Sequence, residues 1–245
     1  IRNGKYGAGK QSSRLYSHGC SYTRTTGIWQ TVWMEAVDRL HVDFFRLTPV
    51  VEESELDIEL NLSVAEDCKV TAEAYFAGKP AGKAEVKVSC GHTAFNLKLN
   101  ELHLWDIGKG NLYDLKFIVE KDDKIVDVVD SYFGMRSVCL KDGKFYLNGR
   151  SVFGRFILDQ GFYKDGIYTA PDVSRFDEDI RLAMDFGYNG ARFHEKVFEP
   201  LAIYAADRAG YMIWDEYPDW NVHMDDFTCL DEIIPDWLSE IRRDY

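Results

Sequence analysis

Apolar and polar residues alternate one by one through the middle of this chain, and the rhythm changes near residue 150. Leu56-Asp57-Ile58-Glu59-Leu60-Asn61-Leu62 sets the first pattern. Val70 to Phe76, Ala84 to Val88, Phe95 to Leu99 and Leu112 to Val119 repeat it. A period of two buries one face of a strand and wets the other. Gly78-Lys79-Pro80, Gly108-Lys109-Gly110-Asn111 and Asp122-Asp123 supply turns between these runs. Ahead of them, Gly27 to Glu35 also alternates, with Trp29, Thr31, Trp33 and Glu35 on one face of a predicted strand.

After Val152 the spacing becomes mixed. Val152 to Leu158 is a buried-strand candidate that ends at Asp159. Asp172 or Ser174 then caps a helix with Val173, Phe176, Ile180, Ala183 and Met184 on one stripe, and Gly187 is placed to stop it. Gly190-Ala191-Arg192-Phe193 is a short strand. Pro200 opens a helix carrying Leu201, Tyr204, Ala205 and Arg208, which Gly210 ends. Tyr211 to Trp214 is a third strand, closed by Asp215-Glu216. Leu230, Ile233, Ile234, Trp237, Leu238 and Ile241 share one face of a last helix.

These rhythms predict a mixed β and α/β fold. About seven short strands over about 100 residues is the pattern of an immunoglobulin-like β-sandwich, assigned to residues 38–138. Strand, helix, strand, helix, strand, helix demands a parallel sheet. Residues 139–245 are therefore read as the first units of an incomplete (β/α)8 (TIM) barrel. Residues 1–37 are one strand and a loop, too little for a domain, and are read as the tail of a larger one.

Composition narrows the function classes. The 245 residues carry a formal charge of −12, which disfavours a nucleic-acid surface. No apolar run reaches membrane-spanning length, so no membrane partner is expected. The chain opens Ile1-Arg2-Asn3-Gly4, with neither a Met nor a signal-peptide pattern. None of the five cysteines forms a CxxC pair. Cys68 and Cys90 share the β-rich region, where a disulfide and free thiols both stay open.

Ligands of parallel α/β folds bind beyond the C-terminal strand ends. Those ends carry Asp159-Gln160, Arg192 to His194, and Asp215-Glu216, each directly after an apolar run. Together they outline a substrate pocket. Asp215 and Glu216 are neighbours on one strand and face opposite sides, so they are not read as a catalytic pair. Tyr217, Trp220 and Trp214 offer faces for sugar rings, with a core role equally open to Trp214. His223 and His194 lack metal-ligand spacing, and HExxH, GxGxxG, P-loop and GxSxG motifs are missing, so neither a metal nor a cofactor is expected.

Several segments resemble glycoside hydrolase family 2, the β-galactosidase, β-glucuronidase and β-mannosidase relatives. Gly27 to Glu35 is similar to the closing strand of their jelly-roll sugar-binding domain. Leu104-Trp105-Asp106 with Asn111-Leu112-Tyr113, and Phe133-Gly134-Met135-Arg136, resemble segments of their Ig-like domain. Phe145 to Phe153, with Leu147-Asn148-Gly149 inside it, is similar to the stretch that opens their barrel. Asn189-Gly190-Ala191-Arg192 and Gly210 to Glu216 are similar to their second and third strand ends. The matches run in order along almost the whole chain.

The resemblance implies retaining hydrolysis of β-glycosidic bonds by two glutamates, with a carbohydrate substrate and a bacterial, periplasmic or secreted setting. Those glutamates follow the fourth and seventh barrel strands, whereas this sequence reaches Ile241-Arg242-Arg243-Asp244-Tyr245 inside the third helix. The expectation is that no catalytic residue is present and the 245 residues are inactive alone. By position, Arg192, His194 and Asp215 match pocket-shaping residues of the family, Asp159 does so more loosely, and Trp214 joins them as a substrate-binding residue. Two departures stand out. Leu158-Asp159-Gln160-Gly161-Phe162 replaces the usual "NRHE", and His194 follows Arg192 by two residues rather than three. An unclosed parallel sheet also leaves an edge that invites a homo-oligomer. The alternative function is a non-catalytic carbohydrate-binding or protein-interaction module.

Overall fold

Seven strands between Val42 and Gly134 realise the alternating pattern. They are β1 (Val42–Val50), β2 (Glu55–Leu62), β3 (Cys68–Phe76), β4 (Lys79–Val88), β5 (His92–Lys98), β6 (Leu112–Lys121) and β7 (Lys124–Gly134). The computed structural model describes residues 7–220 and 228–244. Antiparallel pairing gives one sheet of order β1-β2-β5 and another of order β4-β3-β6-β7. On β2, residues Leu56, Ile58, Leu60 and Leu62 turn inward; on β6, Tyr113, Leu115, Phe117 and Val119 do the same. Both rows belong to one apolar core with Val70, Ala72 and Leu97, so the two sheets bury each other's faces. Three short strands follow as an antiparallel meander: β8 (Val138–Lys141), β9 (Lys144–Leu147) and β10 (Arg150–Val152).

The period then changes as expected. Strands β11 (Phe156–Asp159), β12 (Gly190–Phe193) and β13 (Met212–Asp215) form a parallel sheet in that order. Helices α1 (Ser174–Asp185), α2 (Pro200–Ala209) and α3 (Thr228–Asp244) follow them in turn. Asp172 Oδ1 accepts the Ser174 N–H at 2.8 Å at the start of α1. Gly210 ends α2 in the left-handed conformation, which a side chain would strain. α2 buries Ala202, Ala205 and Ala206; of the residues named from the sequence Ala205 is buried, whereas Leu201 and Tyr204 are exposed. Its small alanines let the backbone lie close to the sheet. The chain as a whole is mostly β-sheet with few helices.

Two compact units divide the chain, one spanning Trp33–Phe153 and the other combining residues up to Val32 with those from Gly154 onward. The second unit has its own core, centred on Phe176, Ile180, Phe193 and Phe198.

One expectation needs revision, and one open alternative is resolved. Gly27 to Glu35 is not a strand. Ile28, Val32 and Met34, the face opposite Trp29, are all exposed, and no neighbouring strand among the described residues supplies a ladder. Cys68 and Cys90 carry free thiols, as do Cys20 and Cys139; Cys90 Sγ donates instead to the His92 carbonyl at 3.1 Å. His223 lies outside the described residues. No helix among the described residues is long and apolar enough to cross a membrane.

Candidate functional site

The register of the parallel sheet sorts the residues named from the sequence. Leu158, Arg192 and Trp214 stand in one cross-strand row; Asp159, Phe193 and Asp215 stand in the next. Successive rows point to opposite faces. Phe193 packs among the helices, so Asp159 and Asp215 share the helix-covered face. Arg192 and Trp214 project from the other face, where Trp214 is 60% exposed. The structure thus brings Arg192 and Trp214 together and turns Asp159 and Asp215 away from them.

One step past the strand ends, the same face carries a row the sequence reading did not assemble: Gln160, His194 and Glu216. The His194 N–H bonds the Asp159 carbonyl at 2.8 Å, which continues the ladder into this row. Arg192 Nε donates to Glu216 Oε1, and His194 Nε2 lies 4.0 Å from Glu216 Oε2. Gln160 Nε2 sits 3.0 Å from His194 Nδ1. With the amide donating, Nδ1 accepts and the imidazole proton resides on Nε2, facing the carboxylate. Burial first, and then Arg192 and Lys10, oppose protonation of His194; Glu216 favours it. The net effect holds the ring below its ordinary value and keeps it neutral at neutral pH.

Two buried charges missed from the sequence brace this row. Glu195 adopts φ +59° and accepts the N–H groups of Asp219 and Trp220 on Oε2 at 3.1 and 3.0 Å. Burial, foremost, pushes its carboxyl up to about 7. Lys196 is fully buried and donates to the carbonyls of Gly161 and Tyr168, each at 2.8 Å. Its ammonium also lies 4.8, 4.6 and 5.0 Å from the ring centres of Trp29, Tyr168 and Phe198. Burial brings its pKa down to about 8. The leading segment therefore belongs to the site: besides Trp29, it places Lys10 Nζ 3.5 Å from the centre of the Trp220 ring. Only the fold reveals these partners, because more than 150 residues of sequence separate them.

His194, Glu195 and Glu216 bring potential metal-ligand atoms within 4.8 Å of one another. Arg192 already holds one oxygen of Glu216, and two backbone N–H groups hold Oε2 of Glu195. The arrangement suits recognition of polar hydroxyl groups, with a cation, an imidazole N–H and carboxylate acceptors beside an exposed indole.

Comparison with known proteins gives this geometry a context. Residues 40–136 match the model for glycosyl hydrolases family 2. A β-glucuronidase of Streptococcus agalactiae is 26% identical over 124 residues, covering 50% of this chain and 20% of that protein. A β-galactosidase of Thermoanaerobacterium thermosulfurigenes is 30% identical over 130 residues, covering 52% of this chain and 18% of that protein. The chain thus spans about a fifth of the length of these curated relatives. The crystal structure of a β-glycosidase from Bacteroides vulgatus superposes with a TM-score of 0.77 at 22% identity, over 92% of this chain and 31% of that one. At that identity the likeness speaks for the fold.

Proposed function

We propose that this chain, which belongs to family 2 of the glycosyl hydrolases, is part of a retaining enzyme that cleaves β-glycosidic bonds of oligo- or polysaccharides. In this reading residues 38–138 are an immunoglobulin-like sandwich and residues 139–245 are the first units of a (β/α)8 barrel. Residues 1–37 belong to the end of a sugar-binding domain. The observation that carries the reading is the row of Gln160, His194 and Glu216 with Arg192 and Trp214, all on one face at the C-terminal ends of three parallel strands. That is where barrel enzymes hold their substrates.

The residues divide the work. Arg192, fixed by Glu216, donates to a sugar oxygen, and the Nε2–H of His194 offers a second donor. Trp214 presents a ring face to the apolar side of a pyranose. Asp159 and Asp215, on the opposite face, shape the strand ends rather than touch the sugar. The glutamates that the resemblance assigns to bond cleavage follow strands beyond these three, so the 245 residues recognise and do not hydrolyse. Relatives described as β-glucuronidase and β-galactosidase make glucuronides and galactosides the first sugars to test.

The test is an NMR titration of the isotopically labelled chain with D-glucuronic acid and with methyl β-D-galactoside. The expected result is saturable shifts at the side chains of Arg192, His194 and Trp214 with one of them, lost in Arg192→Ala. Shifts confined to residues 42–134, or binding untouched by Arg192→Ala, would reject the assignment and favour a non-catalytic carbohydrate-binding module.

A further inference from the structure

A cavity of about 630 Å³ opens on the helix side of the parallel sheet, on the face opposite Arg192 and Trp214. Ile157, Phe176, Ile180, Ala183, Ala191 and Phe198 give it apolar walls. Its size falls in the range of small-molecule sites, about 300–1,000 Å³. Its polar lining includes Asp159, Tyr163, Arg175, Asp179 and Tyr211, with Lys164, Asp165 and Tyr188 beside them, and the reading above places none of them in contact with substrate.

Three of these groups are left incomplete. Arg175 Nε is a buried donor with no hydrogen-bond partner among the described residues. Tyr211 is 3% exposed, yet its hydroxyl has no hydrogen-bond partner among the described residues. Native folds rarely leave a buried hydroxyl so. Asp159 takes one side-chain hydrogen bond among the described residues, from the Gly161 N–H to Oδ1 at 2.8 Å, which leaves Oδ2 able to accept. Asp159 lies within electrostatic reach of both Tyr163 and Tyr211, and together with burial it makes their hydroxyls harder to ionise. Asp179 is engaged by Arg175 at 3.0 Å. The cavity thus offers two donors without acceptors, on Tyr211 and Arg175, and an acceptor with spare capacity on Asp159.

Ligand chemistry follows from these groups. An ammonium would satisfy Asp159 but accept nothing from Tyr211. A carboxylate or phosphate would accept from Tyr211 and Arg175 but meet the charges of Asp159 and Asp179, the latter already paired with Arg175. A hydroxylated edge both donates and accepts, and so answers donors and acceptor alike. We propose that this cavity binds a neutral ring of monosaccharide size, with hydroxyl groups toward Tyr211 and Asp159 and an apolar face against the phenylalanine and aliphatic walls. A sugar and an alicyclic alcohol share this chemistry. The inference uses residues other than those of the proposed sugar row, and each stands or falls without the other.

The chain is titrated, with NMR detection, against methyl β-D-glucopyranoside, against cyclohexanol, and against methylcyclohexane, which lacks the hydroxyl. At least one hydroxylated probe should bind saturably, shifting amides along residues 156–159 and 174–185. Tyr211→Phe keeps the ring and should weaken that binding about five- to tenfold, as loss of one hydrogen bond predicts; Asp159→Asn should weaken it similarly. Binding of the glucoside identifies a sugar site, and binding of cyclohexanol alone identifies an alcohol site. The proposal is overturned if neither alcohol binds, if methylcyclohexane binds as tightly, or if Tyr211→Phe leaves the affinity unchanged. Should Asp159→Asn fail to fold, Tyr211→Phe carries the test, with a conserved amide spectrum as its control.

Discussion

Glu195 shows how one residue links the site to stability. Its carboxyl is raised to about 7, chiefly by burial. A raised carboxylate pKa means that the folded state holds the proton more tightly than the unfolded state. The resulting stabilisation is full below the unfolded value near 4.5 and is lost as pH rises through about 7. Glu195→Gln keeps an oxygen for the Asp219 and Trp220 N–H groups but cannot ionise. The variant should therefore gain on the wild type between pH 5 and pH 8, by on the order of 1–2 kcal/mol. Thermal unfolding of both proteins across that range checks this, and a constant gap would refute it. Gly190 makes a steric counterpart. A Cβ there would lie 2.4 Å from Phe156 Cε1 and 2.6 Å from the Met212 carbonyl oxygen, and that carbonyl is fixed in the sheet. Gly190→Ala should cost about 1–3 kcal/mol, read as a lower urea midpoint with an unchanged slope.

At the scale of elements, strands with a buried row and a paired neighbour were legible, because alternation records burial directly. β2, β3 and β6 lie where the period of two puts them. Residues 27–35 alternate as well, yet form no strand, because alternation says nothing about a partner. The site was legible to the same degree. Arg192 and His194 are visible as polar residues at strand ends, but the sequence pattern alone points to Asp215 rather than Glu216. The register decides that choice: Trp214 pairs with Arg192, so Glu216, two residues on from Trp214, shares their face. Lys196 was invisible as a structural device because its partners, Trp29, Gly161 and Tyr168, are scattered along the chain. It ties the loop after β11 and the leading segment to the end of β12, with the Thr169 hydroxyl adding a bond to the Trp29 carbonyl at 2.8 Å. Lys196→Met keeps the apolar stem but removes both donors. Amide exchange over residues 161–169 should then quicken at least about tenfold, while residues 55–62 and 112–121 stay protected. Equal quickening in both regions would mean that Lys196 supports the whole chain rather than this loop.

The whole molecule is a pair of units whose membership the sequence order hides, since residues up to Val32 group with those from Gly154 onward. One consequence concerns activity. The proposed recognition row contains no free pair of carboxylates poised as acid and nucleophile: Glu216 is bound to Arg192, and Glu195 is bound to backbone N–H groups. The purified 245-residue chain should leave p-nitrophenyl β-glucuronide and β-galactoside intact, and clear turnover would show that these glutamates act after all. A second consequence concerns cooperativity. Each unit has a hydrophobic core of its own, one containing Phe117 and the other Phe193. A core holds together the residues packed into it, so damage to one should be felt first within its own unit. Phe117 is fully buried, and Phe117→Ala removes a whole ring, a change that costs about 3–5 kcal/mol. Amide exchange should rise in β2, β3 and β6 of that variant, whereas β12 and α2 keep wild-type protection. Equal loss in both regions would show that the two cores unfold as one.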